Sequence, residues 1–150
     1  MNRKQPFTFE EFKTIYSKVP RLCVDLVIKT EKGVLLTFRA KNGYENQWHL
    51  PGGTIYYRER VEDAVKRVAK EELGIDITIT KFAGYLEYFS EVKERGFGYT
   101  ISLVFVCEPL NTEFELDDQV EKIGFFDKPP EDTITEQKDL LNNLLSKSSK

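Results

Sequence analysis

Four residues stand at a spacing that could do chemistry: Glu59, Arg67, Glu71 and Glu72. They fall in or beside an amphipathic segment, Glu59 to Leu73, closed by Gly74. At about 100° per residue, Val61, Ala64, Val65, Val68 and Ala69 form an apolar face. Glu62, Asp63, Lys66, Arg67 and Lys70 form the opposite one. Glu72 breaks the division, because it sits one turn beyond Val68, in line with the centre of the apolar stripe. A carboxylate aimed at a core is costly unless it is paired or holds a cation. Two readings stand at this point: the helix ends and Glu72 reaches solvent or a basic group, or a metal ion takes it. Glu71, four residues after Arg67, suits an ion pair along the helix. The chain has one histidine, His49, so most histidine-based metal sites and triads are excluded. Carboxylates must carry any catalysis.

The 150 residues amount to one domain. Lys and Arg number 22 against 25 Asp and Glu, a net charge of -3, which speaks against partnership with nucleic acid or an anionic membrane. Hydrophobic residues at 40% and aromatics at 13% are ample for a packed core. No apolar run approaches the roughly 20 residues of a membrane span. Met1 to Glu11 is polar with scattered aromatics and reads as no signal peptide, so the expected location is cytoplasmic. Cys23 and Cys107 each lie in an apolar, β-branched stretch and read as buried thiols, with neither a disulfide nor a zinc site.

Positioning these residues requires the following elements. Thr8 and Glu11 form a capping box that opens a short amphipathic helix ended by Pro20. Leu22 to Ile28 and Val34 to Phe38 read as a hairpin, and Ala40 to Asn46 as a loop. Gln47 to Leu50 is short and extended, Pro51-Gly52-Gly53 a tight turn with free carbonyls, and Thr54 to Tyr57 β-like. After the central helix, Ile75 to Phe89 holds one long or two shorter strands, and Lys93 to Gly98 is a turn. Tyr99 to Cys107 and Ile123 to Phe126 are strands, and Thr133 to Leu145 a helix. Residues 146–150 read as a frayed tail. The order implies an α+β (mixed α/β) sandwich.

Gly53, Glu59, Arg67, Glu71, Glu72, Gly74 and Ile75 together resemble the Nudix box, G-x5-E-x7-R-E-U-x-E-E-x-G-U, with U a bulky aliphatic residue. Trp48-His49-Leu50-Pro51 also fits the approach to that box. The resemblance implies a mixed sheet sandwiched between helices over nearly the whole chain, as a single domain with an N-terminal helix extension over residues 1–19. It implies a hydrolase of small-molecule nucleotide substrates and a homodimer. Mg²⁺ or Mn²⁺ would be held by Glu71, Glu72 and a carbonyl of Gly52 or Gly53, and Glu59 and Arg67 would pair loop to helix. The box asks for Glu directly after Arg67, where this chain has Val68; Ala69 is a smaller departure. Loss of that carboxylate implies weakened activity or a shifted base.

The GDP-mannose mannosyl hydrolase branch lacks the same Glu, and the chain resembles it further. Asp25 interrupts an apolar strand, Arg39 ends the next one as a phosphate-binding residue, and Asp117-Asp118-Gln119 resembles an acidic loop whose Gln is a metal ligand. The branch's catalytic histidine after that Gln is Val120 here, and its arginine after the box glycine is Thr54. Each residue also has an ordinary reading. Asp25 could pair with Arg21 or Arg39, and Asp117, Asp118 and Glu121 could be a solvated turn. His49 could pack or cap its turn, and Tyr44, Trp48, Tyr85, Tyr88, Phe97 and Tyr99 could stack on a nucleobase or fill the core. Three functions remain open: hydrolysis of a nucleoside diphosphate linked to another group, cleavage at a sugar carbon, and a silent nucleotide-binding module. Gln119 or Glu121 would complete the site, and the loops 40–46 and 91–98 would set the substrate.

Overall fold

A computed structural model describes residues 6–39 and 43–148. In chain order the elements are α1 (Phe9–Tyr16), β1 (Arg21–Thr30), β2 (Gly33–Arg39), β3 (Gln47–His49), β4 (Gly52–Thr54), α2 (Val61–Leu73), β5 (Ile77–Tyr88), α3 (Glu91–Arg95), β6 (Thr100–Pro109), β7 (Val120–Phe126) and α4 (Thr135–Ser148). The mixed α/β architecture is the one expected. Strands run in the order β3-β2-β1-β6-β5, with β4 paired to β1 and β7 to β2. Only β1 and β6 pair in parallel among the described strands, which places β1 at the centre.

The alternation of β1 builds a core on both faces. Val24, Leu26 and Ile28 pack with Ala64, Val65, Val68 and Leu73 of α2. Val27 packs with Leu36, Val104 and Leu141, the last from α4. Cys23 and Cys107 are buried free thiols, and burial pushes Cys107 up to about 12. β1 also changes neighbour along its length. Cys23 to Asp25 pair with β4, and Lys29 and Thr30 with β2. Gly74 closes α2 in the left-handed conformation, at φ 69°.

Several boundaries differ from the sequence reading. Gly52 and Gly53 form no tight turn; they are strand residues of β4, which ends at Thr54. α2 opens at Val61 and leaves Glu59 outside the helix. In one straight helix, residues eight apart are separated by about 12 Å along the axis, too far for an ion pair. Glu59 meets Arg67 only because the chain before α2 folds back. The expected turn, Lys93 to Gly98, overlaps the short helix α3, which opens two residues earlier at Glu91, and Ile77–Tyr88 is one strand. α4 runs on to Ser148 rather than ending at Leu145, and the tail's remainder lies outside the described residues, as do residues 40–42 of the expected loop.

Candidate active site

Arg67 is the hub of the box. Its Nε and Nη2 donate to the two Glu59 carboxylate oxygens at 2.7 and 2.9 Å, and Nη1 donates to Glu71 at 3.0 Å. Nη2 also donates to the Thr54 carbonyl at 2.7 Å, and the guanidinium lies 4.0 Å from the centre of the Tyr56 ring. Tyr56 N–H in turn donates to Glu59 at 3.0 Å. Only a planar, five-donor group can satisfy strand, loop and helix at once. Arg67 holds the Glu59 carboxyl below the usual range.

Gly52 and Gly53 are required by close approach. A Cβ on Gly52 would meet Asp25 Oδ1 and the Val24 carbonyl, and one on Gly53 would come 3.1 Å from Val68 Cγ2. Val68 is 1% exposed, so a methyl group lies under the strand where the box would have a carboxylate.

A cleft of about 610 Å³ opens above these strands. Asp25, Arg39, Gly52, Gly53, Arg67 and Gln119 all line it. Asp25 is buried and accepts from Tyr88 O–H at 2.5 Å. The Tyr88 hydroxyl accepts from Gln137 Nε2 at 2.8 Å, and Gln137 Oε1 accepts from Leu50 N–H at 2.7 Å. This chain of bonds ties β1, β5 and α4 to the segment before β4. Burial lifts the Asp25 carboxyl to about 6, against the pull of the Tyr88 hydrogen bond. His49 also borders the cleft, with Nδ1 at 2.8 Å from the Leu50 carbonyl. Enclosure by protein and the charge of Arg39 push its imidazole down to about 3, so it stays neutral at physiological pH.

The NUDIX domain model matches residues 19–139, which takes in the whole of this arrangement. The chain belongs to the NUDIX hydrolase family. It is 37% identical over 125 residues to the low-salt glycan biosynthesis protein Agl8 of Haloferax volcanii, covering 81% of this chain and 80% of that one. It is 33% identical to an ADP-ribose pyrophosphatase of Methanocaldococcus jannaschii, covering 72% of this chain and 62% of the relative. The fold matches the MutT protein of Methanosarcina mazei with a TM-score of 0.74 at 21% identity, covering 89% of this chain and 98% of that one.

NUDIX hydrolases use divalent metal ions, and the donors here suit such an ion. Glu72 is 5% exposed on α2, and its peptide carbonyl accepts from Asp117 N–H at 3.1 Å. The loop that begins at Asp117 thus lies against the end of α2. Glu71 and Glu72 flank the cleft without lining it, one turn beyond Arg67 and Val68. Among the described residues no three acidic, histidine or cysteine side chains gather into a metal site. Two carboxylates with neutral carbonyl and amide oxygens match the habit of Mg²⁺, which keeps several waters and takes substrate phosphates as ligands. Gln119 is half-buried in the cleft lining, whereas Glu121 is exposed outside it.

Of the aromatic candidates, Tyr44, Tyr88 and Phe97 line the cleft. Trp48 packs on Phe38 and Phe126, Tyr99 stacks on Phe89, and Tyr85 is exposed. Asp25 takes Tyr88 as its hydrogen-bond partner rather than an arginine side chain. Sequence reasoning missed Gln137, and it marked the loop 91–98 without singling out Glu91 and Arg95, whose partners are set by the fold. A mid-helix Gln on the buried face of α4 was the one available signal. No helix among the described residues is long and apolar enough to cross a membrane.

Proposed function

We propose that this NUDIX hydrolase acts on a nucleoside diphosphate linked to a second group, with a nucleotide sugar as the favoured class, using Mg²⁺ or Mn²⁺. The observation that carries the reading is the cleft, which joins the glycine strand, Arg39 and Gln119 to the Arg67 hub. Its volume lies within the roughly 300–1,000 Å³ usual for small-molecule sites. Two relatives add support. One is named for glycan biosynthesis, and the other for ADP-ribose, a nucleoside diphosphate joined to a sugar.

Glu71, Glu72, a carbonyl of Gly52 or Gly53, and Gln119 would hold the ion, which when bound neutralises the diphosphate and polarises its phosphoryl oxygens. Arg39 binds phosphate from the end of β2. Arg67 and Glu59 position strand and helix and touch no reacting atom. Val68 supplies no base, so cleavage at phosphorus is slow, by about 10²- to 10⁴-fold relative to a carboxylate-bearing site. The protein acts as a homodimer in the cytoplasm, a point that sedimentation and fractionation test.

A panel of nucleoside triphosphates, nucleotide sugars and dinucleotides with Mg²⁺ tests the reading. Monophosphate products from a nucleotide sugar are expected. Val68 and the cleft position of Asp25 favour a second reading, cleavage at the sugar carbon, which would release free sugar and intact nucleoside diphosphate. Tight binding without turnover would leave a silent module instead. The ion assignment has its own test. Glu72→Gln is expected to lose most Mn²⁺ binding by calorimetry while keeping its far-ultraviolet circular dichroism. Unchanged Mn²⁺ affinity would refute it.

A further inference from the structure

Glu91 at the start of α3 is a carboxylate with 2% exposure. It accepts from Thr100 Oγ1 at 2.7 Å, from Arg21 Nη2 at 3.1 Å and from Arg95 Nη1 at 3.0 Å. None of these residues belongs to an apolar core cluster. The effect of the buried charge is to fix two guanidinium groups in the lining of the cleft. Both lie over the Phe12 ring, at 5.3 and 5.2 Å, and Arg95 lies 5.3 Å from the Phe97 ring as well. Phe9 meets Phe97 edge-on at 6.3 Å and is 65% exposed. α1, which carries Phe9 and Phe12, buries none of its residues. These ring contacts are what hold it over this end of the cleft.

The two arginines differ in what they have left to give. Arg21 donates to Thr100, Thr54 and Glu91 from three different nitrogens. Arg95 donates to Glu91 alone among the described residues, which leaves most of its five N–H groups for a ligand. Gly43 abuts the Arg95 methylenes, where any side chain would collide, and so helps to fix its direction. Charge decides what kind of ligand this is. Glu91 and Glu94 both line the cleft here, so the acids offset the arginines and this end carries no excess positive charge for a phosphate. It offers one exposed ring, Phe9, one half-buried ring, Phe97, and directional donors, which suit a neutral planar ring bearing hydrogen-bond acceptors.

We propose that this aromatic–guanidinium end of the cleft is the nucleobase subsite, with the base against Phe97 beneath α1 and Arg95 donating to an acceptor on its edge. The proposal rests on the nucleotide-hydrolase reading above. It assigns recognition of the base to α1 and α3, away from the phosphate end at Arg39.

The test uses the full chain and the variants Phe97→Leu, Phe9→Ala and Arg95→Met. For the nucleotide substrate found in the panel, Phe97→Leu and Phe9→Ala are each expected to raise KM by about 5- to 150-fold, the range that loss of one base stack implies, and Arg95→Met is expected to raise it by about tenfold or more through loss of a charged donor. kcat is expected to stay within about twofold, because the reacting atoms lie elsewhere. Inhibition by inorganic pyrophosphate, which has no base, is expected to be unchanged. An unmoved nucleotide KM, or an equal weakening of pyrophosphate inhibition, overturns the proposal. A calorimetric titration with AMP, GMP, CMP and UMP separates it from the hydrolase reading. Binding by the wild type that Phe97→Leu and Phe9→Ala lose supports the subsite even in a protein without turnover. Equal binding by the variants, or no binding of any monophosphate to the wild type, overturns it. Phe9 is exposed, so its variant remains folded and informative if Phe97→Leu is unstable.

Discussion

At the residue scale the site is defined by one substitution and one hub. Val68 replaces the carboxylate of the box and fills the space beneath Gly53. Val68→Glu puts a charge at a position 1% exposed, which costs several kcal/mol unless a cation meets it. The expected outcome is a lowered melting temperature that Mn²⁺ largely restores, together with faster hydrolysis. A destabilised protein indifferent to Mn²⁺ would show that position 68 lies out of reach of the ion. Arg67 has the opposite character, since its donors reach Glu59, Glu71 and Thr54. Arg67→Ala leaves the two largely buried carboxylates, 15% and 17% exposed, without that partner. An expected loss of about 2–4 kcal/mol is readable by urea denaturation. Arg67→Lys keeps the charge but not the fork, so it recovers only part of the loss.

At the element scale, β4 and α2 are a single device. The strand brings backbone within contact distance of Asp25 and Val68, and Arg67 ties the chain between strand and helix to both. Gly52→Ala would drive a methyl group into Asp25 Oδ1 and come 2.7 Å from the Val24 carbonyl. Neither can withdraw, because Val24 and Asp25 are paired to β4 and β6 at once. We expect a loss of about 1–3 kcal/mol in urea denaturation and impaired activity, as overpacking at a paired strand implies. An active, fully stable Gly52→Ala protein would show that β4 can separate from β1 without consequence.

At the scale of the whole molecule, His49 links the cleft to acid stability. Its imidazole is pushed down to about 3, against about 6.5 in an unfolded chain. Between those values the unfolded chain binds a proton that the folded one refuses. Stability therefore rises with pH across this window, is fully present above about pH 6.5, and is lost as pH falls toward 3. The slope from this one group is at most about 1.4 kcal/mol per pH unit. His49→Gln is expected to flatten the acid limb of a stability profile taken by urea denaturation between about pH 4 and 7. An unchanged limb would place the responsible groups elsewhere.

The box was legible in the sequence because it is written in spacing. A helical period puts Arg67 and Glu71 four apart on one face, and their ion pair at 3.0 Å needs nothing beyond the helix itself. The apolar stripe of α2, its glycine cap and the mixed architecture are likewise local or periodic features. Spacing also singled out Glu72 as the acid on the apolar side, and it is buried there. The strand character of Gly52 and Gly53 was not legible. A Pro-Gly-Gly run reads as a turn, and only the neighbouring β1 and α2 reveal that the glycines serve close approach instead of positive φ. The partners of Asp25 and Glu91 were hidden for the same reason. Tyr88 lies 63 positions from Asp25, and Arg21 lies 70 from Glu91. No local periodicity encodes which donor will satisfy a buried carboxylate. The sequence by itself determined the family, the helix that bears the box, and the missing base. The tertiary structure alone decided which donors meet at the cleft, because those pairings exist only once distant strands are brought side by side.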